Sequence, residues 1–151
     1  LDVLVLFNKK TSSFREGGHT SHNAPLSGHG ETVHATIDYW LKHGTDPKKL
    51  LLGLPLYGKG YKLDNGNDHK VGAKGHEGGN TGGNYNHICK ELKAGGWAQH
   101  WDDQAQVPYA SKGNDWITYD NARSIQKKLE YVLEKKLGGS FVWPVDGDDC
   151  K

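Results

Sequence analysis

The sequence of 151 residues has no methionine, only 2 cysteines and 5 prolines, and almost no net charge: 19 Lys and Arg against 18 Asp and Glu leave +1. Each shortage excludes something. A chain without methionine that starts on Leu1 is expected to be a processed product or a piece of a longer one. Near-neutral charge argues against a nucleic acid or an acidic membrane surface as partner, because either demands a concentrated basic patch. No apolar run approaches the roughly 18 residues of a membrane span; the strongest are Val3–Phe7 and Leu50–Tyr57. Two cysteines, Cys89 and Cys150, allow one bridge or two thiols and cannot make a disulfide framework. His19 and His22 are spaced like a ligand pair, but no second pair or Cys cluster follows, so no metal is expected. The acidic stretch from Asp64 to Asp68 starts like a calcium loop yet has His69 where the turn needs glycine and Gly75 where the loop needs glutamate. No cofactor is expected.

What the chain has in excess is glycine, 21 residues against a usual share of about 7%. There is no three-residue period, which excludes collagen. Five Trp, seven Tyr and three Phe require burial or a ligand, which argues against disorder.

Hydrophobic spacing divides the chain into elements. Leu1–Phe7 is a Val/Leu run without polar alternation, as in a strand covered on both faces. Residues 8–30 form a long polar loop. From Glu31 to Lys42, Val33, Ile37, Trp40 and Leu41 fall on one helical face, and Gly44 and Pro47 stop the helix. Leu50–Tyr57 is a second apolar strand, so strand, helix and strand form a βαβ unit with parallel strands. Residues 58–83 carry nine of the 21 glycines and fit no helical period. Beyond them, the pattern predicts a short helix at Asn86–Ala94 and short strands at Trp97–Trp101, Val107–Ala110 and Trp116–Tyr119. A second amphipathic helix, capped by Asp120 or Asn121, carries Ile125, Leu129, Val132 and Leu133, and a last strand covers Ser140–Val145. Three strands of a parallel sheet, interrupted by a small α+β unit, make a poor stand-alone object, because faces and edges stay uncovered.

Several segments are specific. The run from Leu50 to Lys59, LLLGLPLYGK, resembles the seventh-strand segment of family 18 glycoside hydrolases, the chitinases and chitinase-like lectins. Ser21-His22-Asn23-Ala24-Pro25-Leu26 resembles their GHNAPL loop. Gly95-Gly96-Trp97, the stretch Gln106-Val107-Pro108-Tyr109-Ala110 and Trp116-Ile117-Thr118-Tyr119-Asp120 resemble their insertion domain. Leu137-Gly138-Gly139-Ser140-Phe141-Val142-Trp143 with Asp146 to Asp149 resembles their eighth strand. The resemblance implies an α/β fold: strands six to eight of a (β/α)8 TIM barrel, residues 1–57 and 120–151, around an α+β insertion domain, 58–119. Barrel active sites lie at the C-terminal ends of the strands, so this chain would supply one wall of a sugar cleft. Its partners would be chitin or N-acetylglucosamine oligosaccharides and the remaining N-terminal part of the barrel. The implied location is extracellular.

The family's catalytic D-x-x-D-x-D-x-E segment does not occur in these residues, so no catalytic residue is assigned. Its glutamate protonates the leaving oxygen while the substrate's acetamide acts as internal nucleophile, an exception to the two-carboxylate scheme. The family's sixth strand ends M-x-Y-D; those positions read Phe7, Lys9 and Lys10 here, and lysine cannot accept a hydrogen bond. Enzyme and non-catalytic lectin therefore both stay open. The resemblance places Trp143 on the floor of the cleft and Tyr57 along it, puts Lys59 where the family has arginine, and aligns Glu77 with a sugar-contacting glutamate. Trp97, Trp101 and Trp116 read as core of the small domain, and Asp146 to Asp149 as a solvated turn. A Cys89–Cys150 bridge is the pairing the resemblance implies.

Overall fold

The computed structural model describes residues 4–6, 18–78 and 81–148. Strand β1 (Leu4–Leu6) is followed by helix α1 (Val33–Lys42) and β2 (Leu50–Pro55). Strands β3 (Tyr57–Leu63), β4 (Gly75–Glu77) and β5 (Gly83–Asn84) lead to α2 (Tyr85–Ala94). Strands β6 (Ala98–Asp102), β7 (Val107–Lys112) and β8 (Asp115–Thr118) precede α3 (Ala122–Glu134) and β9 (Gly139–Trp143).

Two sheets organise these elements. The first is parallel, in the order β1-β2-β9, with Leu4 opposite Leu50 and Pro55 opposite Trp143. Side chains alternate across a strand. Leu50, Leu52 and Leu54 enter one core with Val33 and Ile37 of α1 and Tyr131 and Val132 of α3. Leu51, Gly53 and Pro55, and their partners Gly139, Phe141 and Trp143, therefore occupy the opposite face. The second sheet is antiparallel, in the order β4-β3-β8-β7-β6, with β5 also on β3. Its two faces carry separate cores. Tyr61, Leu63, Ala73 and Trp116 pack on one; Ile88, Ala110, Ile117 and Tyr119 pack on the other, under α2.

The helices start where local chemistry satisfies their free N–H groups. The Thr32 hydroxyl accepts from the Ala35 N–H at α1. Asn121 and Ser124 cap α3 reciprocally. Asp120, the other cap expected from sequence, does different work described below. The expected single strand Leu50–Tyr57 is corrected: β2 ends at Pro55, Leu56 is a joint, and Tyr57 opens a strand of the second sheet. The Leu56 N–H donates to the Trp143 carbonyl at 2.8 Å and its own carbonyl accepts from Tyr85 at 2.9 Å. The glycine-rich stretch after Tyr57 holds β3, β4 and β5, strands with little apolar signal. Glycine is required at Gly58, where a Cβ would sit 2.2 Å from the Thr118 carbonyl oxygen and 2.7 Å from Ile88 Cδ1. The last strand starts one residue earlier than expected and ends at Trp143; Val145 belongs to a 3-10 turn.

Candidate functional site

The face of the parallel sheet turned away from the helices ends, at its C-terminal rim, in Pro55 and Trp143. Trp143 is 58% exposed. A large indole held on a strand end and left open is available to a ligand in a way a core tryptophan is not. The backbone bond from Leu56 to Trp143 ties this rim to the start of β3. Tyr57, half-buried, is the first residue of β3, and Lys59 follows on the same face. The Lys59 ammonium lies 3.6 Å from the Glu77 carboxylate of β4, an ion pair open enough to water to contribute at most about 1 kcal/mol. Tyr57, Lys59 and Glu77 thus lie on one face of the second sheet, and Leu56 joins that sheet through the backbone to the strand end that bears Trp143.

Residues 18–32 buttress that face. The Asn23 N–H donates to Thr118 Oγ1 at 3.0 Å, and Thr118 is the β8 partner of Lys59. Ser21 and Tyr61 share a hydroxyl contact of 3.2 Å. His22 Nε2 donates to Asp102 Oδ2 at 2.9 Å, and the ring packs against Tyr109 and Trp116. Burial pulls the His22 pKa down, although Asp102 opposes this. At Asp102 partial burial pushes upward, but the Ala105 N–H, the His22 ring and the Gln104 N–H outweigh it and hold the carboxyl below its ordinary value. His22 is thus engaged with Asp102, and His19 sits in an isolated bridge to Lys74.

A second buried polar group lies behind the site. Lys128 Nζ donates to Asp120 Oδ1, both out of solvent, and Ser124 Oγ donates to the same oxygen at 2.7 Å. Burial lowers the Lys128 pKa against the pull of Asp120. Neither this pair nor His22–Asp102 was evident from sequence. Asp102 lies 80 positions from His22, and Lys128 falls where a helix normally shows water its charge.

The tryptophans of the small unit divide by depth. Trp116 is fully buried, its indole N–H donating to the His69 carbonyl. Trp97 packs beside Ile88 and Ile117. Trp101 stacks under the Arg123 guanidinium, 3.8 Å from the ring centre. Asp146 and Asp148 are exposed around the 3-10 turn. Cys89 lies on α2; Cys150, its expected partner, and Phe7, Lys9 and Lys10 lie outside the described residues.

The family model of glycosyl hydrolases family 18 matches residues 4–148. The chain belongs to this family. Among curated relatives, it is 41% identical over 148 residues to probable chitinase 2 of Drosophila melanogaster, covering 85% of this chain and 30% of that protein. It is 35% identical over 144 residues to mouse (Mus musculus) chitotriosidase-1, covering 87% of this chain and 31% of that protein. Among solved structures, it superposes on the class V chitinase of Nicotiana tobaccum with a TM-score of 0.90 at 27% identity, covering 99% of this chain and 45% of that one. Human YKL-39, described as a pseudo-chitinase with retained chitooligosaccharide binding, superposes with a TM-score of 0.87 at 31% identity, over 98% of this chain and 44% of that one. The chain thus spans less than half the length of each of these family 18 proteins, and its fold is the matching part of their TIM barrel.

Proposed function

We propose that this family 18 chain forms one wall of a cleft for β-1,4-linked N-acetylglucosamine oligomers. Trp143 is the floor on which a pyranose face stacks, and Tyr57, Lys59 and Glu77 flank it with hydrogen-bonding groups. The observation that carries this reading is the position of Trp143: on the sheet face opposite the helices, at the C-terminal rim, and open to solvent. TIM-barrel sites occupy that rim. The remainder of the barrel, in this reading, closes against the edge of β9 that has no strand partner among the described residues, next to the exposed Val142 and the exposed Val145 of the following turn, and against α3, where Leu133 is 77% exposed. In an active parent protein, that remainder supplies the proton-donating glutamate for substrate-assisted retaining hydrolysis, and the protein works outside the cell.

A second reading is a chitin-binding lectin without turnover. Lys9 and Lys10, standing where the family's sixth strand carries tyrosine and aspartate, favour it. Titration calorimetry of the full protein with chitotetraose, together with release of a chromophore from a chitobioside, tests both. Binding with release supports the enzyme, and binding without release the lectin. No binding, or binding unchanged in Trp143→Ala, rejects the cleft.

A further inference from the structure

Residues 18–32 are joined to the insertion unit by backbone bonds at Gly18, Thr20 and Leu26, by the Ser21, Asn23 and Ser27 contacts, and by one buried titratable side chain, His22. His22 is 7% exposed. Nε2 is committed to Asp102, which itself accepts the N–H groups of Gln104 and Ala105 at 2.9 Å each. Nδ1 is buried and has no hydrogen-bond partner among the described residues. The ring lies among Tyr109 of β7 and Trp116 of β8, with centroids at 5.9 and 6.2 Å. His22 and Asp102 both line a cavity of about 290 Å³ that also reaches His29 and Glu31.

In the neutral form, the Nε2–H tautomer satisfies Asp102 and leaves only a lone pair unmade at Nδ1. Acid must place the second proton on Nδ1, a buried atom that faces no acceptor among the described residues. A buried unsatisfied donor costs about 1–3 kcal/mol, and more when charged. The charged groups around the ring do not remove this penalty. Asp102 faces it from β6 but is already bonded through Nε2. Asp120, before α3, attracts the proton, while its ion-pair partner Lys128 repels it. Glu31 and His29 stand across the cavity, and the Tyr61 and Tyr109 phenols are both pushed up by burial and neutral.

We propose that His22 is an acid-sensitive latch: neutral, it helps fasten residues 21–27 to Asp102 and the turn between β6 and β7, and protonated, it loosens that contact while the backbone bonds at Gly18 and Thr20 persist. Its lowered pKa agrees in sign. A base whose folded pKa lies below its ordinary 6.5 contributes stability that is complete above that value and is lost as pH falls through the folded pKa. The loosened stretch adjoins the proposed cleft, because the Asn23 N–H donates to Thr118, the β8 partner of Lys59. The latch itself does not depend on the sugar reading.

The experiment is hydrogen–deuterium exchange of the full protein between pH 7.5 and 5, corrected for the intrinsic pH dependence of exchange. Peptides covering 21–27 and 102–106 are expected to exchange faster together at low pH, by at most about tenfold for each unit by which the His22 pKa is lowered, while α1 and β2 stay unchanged. His22→Gln keeps a donor for Asp102 and cannot titrate, so its corrected exchange is expected to be flat. Unchanged exchange in the unsubstituted protein, or the same step in His22→Gln, overturns the latch. A direct NMR titration of the His22 ring decides the matter even if the variant fails to fold: protonation at or above 6.5 sinks the proposal.

Discussion

Lys128 and Asp120 form an ion pair from which water is wholly excluded, one residue in the middle of α3 and the other just before it. Removing one partner of such a pair strands the other charge. Lys128→Met is expected to cost about 3–5 kcal/mol, whereas Lys128→Met combined with Asp120→Asn recovers much of that loss. Urea unfolding of the single and double variants measures the difference. A double variant as unstable as the single one would show that packing, not charge, dominates here.

Trp143 makes the opposite prediction. Its ring is mostly exposed in this chain, so Trp143→Ala made in these 151 residues is expected to leave their unfolding midpoint almost unchanged. Chitotetraose affinity should fall by about tenfold or more, the effect of truncating one aromatic anchor worth about 1.4 kcal/mol or more. Calorimetric binding and a thermal melt on the same preparation separate the two effects.

Gly58→Ala is expected to destabilise by about 1–3 kcal/mol or more, since the new methyl meets backbone rather than a yielding side chain. At Gly44, where φ is +84° and nothing lies within 4 Å of the added Cβ, the cost is confined to backbone strain of about 1 kcal/mol. Reversal of that order in denaturant midpoints would contradict the close crossing of β3 and β8.

Cys89 and Cys150 are expected to be bridged. Alkylation before reduction should label neither, and alkylation after reduction both. Loss of the bridge would then lower stability by about 2–4 kcal/mol. Intact mass resolves the label count.

The parallel sheet was legible because β2 and α1 bury stripes of apolar residues that leave a period in the sequence, whereas on α3 the expected stripe held only in part: Val132 is buried, Leu129 and Leu133 are exposed, and Ser124, Lys128 and Tyr131 share the buried face. Val33 and Ile37 on α1, and Leu50, Leu52 and Leu54 on β2, entered one core as expected. The break at Leu56 was hidden, since the chain stays apolar across it and only distant partners, Trp143 and Tyr85, fix the turn. Strand β3 was hidden for another reason. Gly58 and Gly60 are there so that β8 and the chain near Gly82 can approach, and glycine signals no strand. At the candidate site, family motifs pointed to Trp143, Tyr57, Lys59 and Glu77, but the Lys59–Glu77 contact required the β3–β4 pairing to be seen. The His22–Asp102 pair had no local signature at all.

The one-residue joint at Leu56 has a mechanical consequence. The chain leaves the parallel sheet at Pro55 and is already hydrogen-bonded into the antiparallel sheet at Tyr57. No slack segment separates the two, and a swing about Leu56 would have to break its bonds to Trp143 and Tyr85. In the proposed reading, the wall these two sheets supply is joined before any ligand arrives. Occupancy would then be governed by encounter and departure, without a closing step to wait for.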